Sequence, residues 1–235
     1  MATSDLDRYA ARNNSEPPAR LGQRYDHDRF LPEPGNTVVC HLDHNVPAHQ
    51  AVLDARARLQ MLPGSERFLY TPVSSLHMTL FEGVIDTRRT ADAWPNGVDR
   101  DAPVDAVTAI VEERLASFAP LPDFSVRATG VLPTGLVLAG ATAEDEAHMR
   151  AWRDALTTPF GYRHNDHDAY RFHMTFAYPI QWLPDDMMPL WHSECQAVLE
   201  ELTAAAPTLP LRSPAFCTFA DMTAFPERLV LEPAD

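Results

Sequence analysis

Two short segments of this chain carry the residue types that acid–base chemistry needs. Leu76-His77-Met78-Thr79-Leu80 and Phe172-His173-Met174-Thr175-Phe176 lie 96 residues apart and repeat one pattern, an apolar frame around a His and a Thr. Along a strand, successive side chains point to opposite faces. His77 and Thr79 therefore leave one face together, as do His173 and Thr175, while the apolar residues seat each strand on a core. With 10 His and 17 Thr in 235 residues, a single His-x-Thr is noise. Two copies with the frame intact have a chance probability on the order of 0.002. An unperturbed imidazole titrates at about 6.5, so a pair can take a proton from water and return one to a leaving oxygen. In-line opening of a cyclic phosphodiester needs those two groups on opposite sides of phosphorus. Hydroxyls two residues along are placed to donate to the non-bridging oxygens. His77 and His173 are thus the expected base–acid pair, in either order, and Thr79 and Thr175 the oxyanion donors. This chemistry requires no metal and no cofactor.

Four further residues are candidates for holding substrate. Arg171 precedes His173 by two and would share its face, where it could grip phosphate bidentately or close a strand-end salt bridge. Tyr178 could stack a base, reach phosphate or pack in the core. Tyr70 and Ser75 flank the first motif, and Trp182 is a further stacking candidate. The polar loop 159–170 could cover the site or simply be solvated. His41-x-Asp43 and His164-x-Asp166 have the outline of part of an iron facial triad. That outline is short, and no pattern of many evenly spaced strands surrounds it.

The paired strands resemble the signature of the 2H phosphoesterase superfamily, which includes bacterial 2′-5′ RNA ligase-like proteins and cyclic phosphodiesterases. The flanking forms SSLHMTLFEG and YRFHMTFAY are most similar to a bacterial and fungal branch described as a domain of unknown function. The resemblance covers roughly residues 36–232 in layout and is specific at the two motifs. It implies a pseudo-twofold pair of lobes with the motif strands facing across a central cleft. It also implies hydrolysis of a 2′,3′-cyclic or related cyclic phosphate on a nucleotide or short RNA end. Some proteins of this fold bind nucleotides without turnover, which makes a non-catalytic nucleotide or RNA-end binding module the alternative.

The rest of the sequence must position these strands. Residues 1–35 are polar and Pro-containing, an arm that Arg24, Tyr25, Phe30 and Leu31 could anchor. Residues 36–235 read as one bilobal domain. Strands are expected over 36–43, 68–70, 76–84, 124–132, 136–141, 171–178, 215–219 and 229–231. Helices are expected from Pro47 to before Pro63, and over 104–118, 143–156 and 185–205, the last dented at Pro189. Pro133-Thr134-Gly135 signals a hairpin. The order strand–helix–strand–strand–helix, approximately repeated, predicts an α+β fold with antiparallel sheets and helices on their outer faces.

Composition narrows the chemistry further. All 19 basic residues are arginine, which excludes Schiff-base, P-loop and pyridoxal-phosphate lysines. Only 9 glycines occur, and no dinucleotide-binding fingerprint is present. A net charge of −14 argues against long duplex nucleic acid and for a small cyclic phosphate or short RNA end. The three cysteines offer no C-x-x-C and read as buried thiols. The polar N-terminus lacks a secretory pattern, and no apolar run suits a membrane span. The expectation is a cytoplasmic monomer with no membrane partner.

Overall fold

The computed structural model describes residues 5–232, so the first four residues of the expected arm and the last three of the chain lie outside it. Among the described residues nine strands and four α-helices follow one another: β1 (Gly35–His41), α1 (His49–Gln60), β2 (Phe68–Tyr70), β3 (His77–Ile85), α2 (Val104–Leu115), β4 (Val126–Leu132), β5 (Gly135–Gly140), α3 (Ala143–Phe160), β6 (His173–Thr175), β7 (Ala177–Pro179), α4 (Met188–Ala205), β8 (Ala215–Phe219) and β9 (Glu227–Val230). The fold is α+β, as expected, with antiparallel strand pairing throughout. Seven strands form one sheet in the order β4-β5-β6-β3-β1-β8-β9, and β2 pairs with β7 in a second, two-stranded sheet. The two halves of the large sheet meet where the motif strands β3 and β6 pair at Met78 and Met174.

Helices α1 and α4 pack together, α4 covers β4, and α2 and α3 cover β3 with its neighbours. The main core fills this side. Met78, Leu80, Met174 and Phe176 have no exposed surface, and Leu76 and Phe172 only 1% each. The alternation read from the two motifs is therefore realised. A smaller apolar cluster of Val39, Ile85, Cys217, Phe219, Met222 and Phe225 lies apart from it, joined by Phe30 and Tyr178. All three cysteines are free and buried, and burial pushes Cys195 and Cys217 up to about 12.

Strand β3 departs from a plain period of two. Val39 faces Thr79 but Val38 faces Phe81, so Leu80 is an extra residue on β3. Such a bulge re-aims the side chains beyond it. Phe81 consequently joins the main core, and Glu82 emerges on the face of His77 and Thr79. A second irregularity follows between Gly35 and Thr37. There the buried Asn36 donates from Nδ2 to Thr108 Oγ1 (2.9 Å) and accepts from Val84 N (3.0 Å). A Cβ on Gly83 would stand 2.0 Å from Asn36 Oδ1, which accounts for glycine at that position.

Three expectations are corrected. The strand expected over 171–178 is two strands broken at Phe176, because Phe176 and Ala177 both donate to Thr134 O instead of continuing the ladder. The chain thereby crosses from the large sheet to the small one. The helix expected to start at Asp185 begins at Met188 after a single 3-10 turn. Pro189 then sits in the first turn, where its missing N–H breaks no intrahelical bond, so there is no dent. Helix α3 runs on through Pro159 to Phe160, ending at Gly161 with φ 73°; the positive φ favours glycine there.

Residues 5–34 are docked on the domain. Tyr9 O accepts from Leu183 N and Leu183 O from Ala11 N, both at 2.8 Å. Tyr25, 1% exposed, donates its hydroxyl to Pro179 O (2.9 Å). Glu33 N donates to Ala220 O (2.8 Å).

Candidate active site

Antiparallel pairing at Met78 and Met174 sets the geometry of the site. One step either way, His77 lies across from Thr175, and His173 lies across from Thr79. Four functional side chains thus form a diagonal arrangement around one buried Met pair. Diagonal neighbours on an antiparallel pair sit roughly 7–8 Å apart, a separation that leaves room for a tetrahedral group between the two imidazoles.

Both histidines are oriented alike. His77 Nδ1 donates to the carbonyl of Ser75 (2.7 Å), and His173 Nδ1 donates to the carbonyl of Arg171 (2.9 Å). A carbonyl only accepts, so Nδ1 carries a proton in both rings and Nε2 is the nitrogen left for proton transfer. All four motif side chains line one cavity of about 250 Å³. Among the described residues neither Thr79 Oγ1 nor Thr175 Oγ1 has a protein hydrogen-bond partner, so both hydroxyls are available to a ligand.

The surroundings break this symmetry. His77 is half-buried, with the Phe225 ring 4.2 Å away between centroids and His41 opposite it at 6.1 Å. Burial, with smaller contributions from His41 and His173, pushes His77 down to about 3, against the lift from the Ser75 carbonyl. His173 is exposed and has the Tyr170 ring beside it at 6.0 Å. One imidazole is thus held neutral against an apolar wall while the other stands at the cavity mouth.

The remaining candidates divide. Ser75 lines the cavity, but its hydroxyl turns to Pro72 O (2.8 Å), so its carbonyl is the part that acts. Tyr178 lines the cavity, packed by Tyr25 and Phe30 at 5.1 and 5.8 Å. Burial raises its pKa, against the lowering effect of Arg24. Arg171 does not share the inner cavity, because β6 begins only at His173. Its two Nη atoms are held by Asp5 (2.9 and 2.7 Å), on the rim of an adjoining groove. Tyr70 lines neither space. It belongs to β2, with the Arg56 guanidinium 5.3 Å above its ring and its buried hydroxyl unpartnered among the described residues. Trp182 lines the adjoining groove.

Several lining residues escaped the sequence reading. The inner cavity's guanidinium is Arg24, brought in by the arm and fixed by Nε to Glu33 (2.5 Å). Burial opposes its charge, but Tyr178 and Glu33 outweigh that and raise its pKa. Glu82 enters by way of the Leu80 bulge. Burial disfavours its charge, yet Arg88 at 3.0 Å, helped by His164 and Arg24, holds its carboxyl below the usual range. Phe219, Met222 and Phe225 come from β8 and the segment after it. A strand reading with strict period two gives no signal for any of these. Loop 161–172 also turns inward, with His164 Nε2 on Glu82 O (2.7 Å) and His167 Nε2 on Asp154 (3.0 Å). The His-Asp outlines are not assembled: His41 Nε2 faces Cys217 Sγ at 3.6 Å and Glu227 at 3.8 Å. Among the described residues no three His, Cys, Asp or Glu side chains gather as a metal site.

Residues 24–137 match the family model 2H-phosphodiest, described as a domain of unknown function (DUF1868). The match includes the first motif and ends before the second. The chain is also similar to a solved structure, the conserved protein of unknown function ATU0111 from Agrobacterium tumefaciens str. C58. The two share 45% identity and superpose with a TM-score of 0.96, over 97% of this chain and 99% of that one. No curated protein matches the chain.

Proposed function

From the match of residues 24–137 to the 2H-phosphodiest family model, we propose that the chain is a cyclic phosphodiesterase working by His/His acid–base catalysis. Its substrate is a 2′,3′-cyclic or related cyclic phosphate on a nucleotide or short RNA end. The observation that carries this reading is the matched orientation of the two imidazoles, each fixed through Nδ1 on the carbonyl two residues before it. His77, kept neutral by burial, takes the proton from the attacking water. His173, at the mouth, acts with Nε2 protonated as well as Nδ1, and gives its Nε2 proton to the departing ribose oxygen. The P–O bond to that oxygen breaks as the bond to water forms, and the product is a phosphomonoester. Thr79 and Thr175 donate to the non-bridging oxygens, where charge builds in the transition state. Arg24 adds a fixed positive charge to an otherwise acidic protein. Both proton transfers are supplied by the chain, so the reaction as proposed proceeds without a metal.

Turnover of nucleoside 2′,3′-cyclic phosphates by wild type, His77→Ala and His173→Ala, each with and without EDTA, tests this. Each substitution is expected to lower kcat by about 10²–10⁴-fold with the melting temperature preserved, and EDTA to leave the wild type unaffected. Wild-type turnover retained by either variant would overturn the mechanism.

A further inference from the structure

The inner cavity is not the whole cleft. A groove of about 690 Å³ adjoins it, and the two share Tyr170, His173, Thr175 and Tyr178. His77 and Thr79 line only the inner cavity, while Arg8, Asn14 and Trp182 line only the groove. His173 therefore stands at the divide. Small-molecule sites usually occupy roughly 300–1,000 Å³. At about 250 Å³ the inner cavity is below that range, whereas the groove is well within it.

Direction follows from the proton transfers. In-line displacement puts the attacking water on the side of the base and the leaving oxygen on the side of the acid. With His77 as base and His173 as acid, the ribose that carries the leaving oxygen extends past His173, into the groove. The groove's lining suits what a nucleic acid would place there. The Trp182 indole is held by Nε1 donating to Glu16 O (2.6 Å), which fixes the ring in place as a stacking surface. Aromatic faces stack bases without sequence preference. Arg8 lies over the Tyr9 ring at 5.0 Å and donates from Nη2 to the Tyr9 hydroxyl (3.0 Å), itself bound to Thr134 Oγ1 (2.5 Å). A guanidinium has five N–H donors, so it can engage a phosphate oxygen and keep that bond. The neighbouring Arg171 is held in a two-bond ion pair by Asp5, whose carboxylate also feels the Arg8 charge without bonding to it.

We propose that the groove is a second substrate subsite, which takes the nucleotide 5′ to the one that carries the cyclic phosphate, with Arg8 meeting the internucleotide phosphate between them and Trp182 stacking the base of that 5′ nucleotide. The substrate class is then an oligonucleotide ending in a cyclic phosphate, in preference to a free cyclic mononucleotide. This rests on the cyclic phosphodiesterase reading above, and it assigns a substrate-binding role to the docked N-terminal arm.

The test compares a dinucleotide ending in a 2′,3′-cyclic phosphate with the matching cyclic mononucleotide, in wild type, Arg8→Gln and Trp182→Leu. Calorimetric binding of the corresponding 3′-phosphates is measured alongside. Wild type is expected to favour the dinucleotide by at least about tenfold in kcat/KM, with Arg8→Gln lowering that ratio by about tenfold, as loss of a charged hydrogen bond implies. Trp182→Leu should lower it as well, and Arg8→Gln should weaken dinucleotide 3′-phosphate binding in step. An equal wild-type preference for both substrates, or a ratio unmoved in Arg8→Gln, overturns the subsite. If neither substrate turns over, the catalytic reading fails, and the binding measurements decide the subsite alone: tighter dinucleotide binding that Arg8→Gln abolishes supports it, and equal affinities overturn it.

Discussion

Phe225 is expected to set the acidity of His77, and its removal should restore an ordinary imidazole. The ring centroids are 4.2 Å apart, and Phe225 is only 9% exposed, so it closes the side of the cavity where water would otherwise reach His77. Burial holds His77 at about 3 against an ordinary 6.5. Each pKa unit corresponds to ~1.4 kcal/mol between the protonation states, so the full displacement amounts to at most about 5 kcal/mol. A half-buried ring keeps one side open to solvent, and one wall supplies only part of the displacement. Phe225→Ala is therefore expected to raise the His77 pKa by about one to two units. The change should be read by NMR titration of the His77 ring carbons and by the acid limb of kcat/KM. In wild type that limb lies well below pH 6, because His77 stays neutral there; in the variant it moves upward. The linked stability has a definite sign. Above pH 6.5 both folded and unfolded states hold a neutral His77, and nothing is lost. As pH falls from 6.5 towards 3, only the unfolded state takes the proton, so wild-type stability declines in that window and Phe225→Ala declines less steeply. Its overall stability falls by about 3 kcal/mol from lost packing, and Phe225→Leu separates the two effects by keeping most of the volume. A wild-type His77 titrating near 6.5, or one that titrates identically in Phe225→Ala, would refute the reasoning.

Thr79→Val and Thr175→Val keep shape but remove a hydroxyl. Each should lower kcat by roughly 10–100-fold with little change in KM, checked by steady-state kinetics on a cyclic phosphate. Gly83→Ala places a methyl 2.0 Å from Asn36 Oδ1 and 2.4 Å from Asn36 O. It should cost about 2–4 kcal/mol in urea unfolding, since the close atoms belong to a buried, doubly bonded amide that cannot swing away. Asp5→Asn weakens the ion pair to Arg171, whose partners are 51% and 55% exposed. Its effect on stability should stay under about 1 kcal/mol, measured by thermal melting at low and high salt.

What the sequence disclosed and what it hid follow a physical division. Both motif strands were legible because their pattern is local: five residues at period two state which side chains leave which face. Helices and the 133–135 hairpin were legible for the same reason. The face of Glu82 was not, because a bulge at Leu80 is set by pairing with Val38 and Val39 on another strand. Nor was the break at Phe176, which depends on where Thr134 O arrives. From its place two residues before His173, Arg171 reads as either a phosphate-binding cation or a salt-bridge partner, and it forms the salt bridge, to Asp5. The guanidinium that lines the inner cavity is Arg24, contributed by a segment whose composition marks it as peripheral. Long-range delivery of this kind leaves no periodic trace.

The diagonal of His and Thr around Met78 and Met174 has a bearing on reversibility. A twofold frame treats attack and departure alike: run backwards, each imidazole takes the other's role, and a phosphomonoester with a nearby hydroxyl closes to the ring it came from. The frame alone would give the site no preferred sense. What distinguishes the two ends is their upholstery, an aromatic wall behind His77 and open water before His173. On the proposed mechanism, which imidazole serves as base and which as acid is thus set by the solvent each one meets, and exchanging those two environments, with the histidines untouched, is the change that would swap their roles.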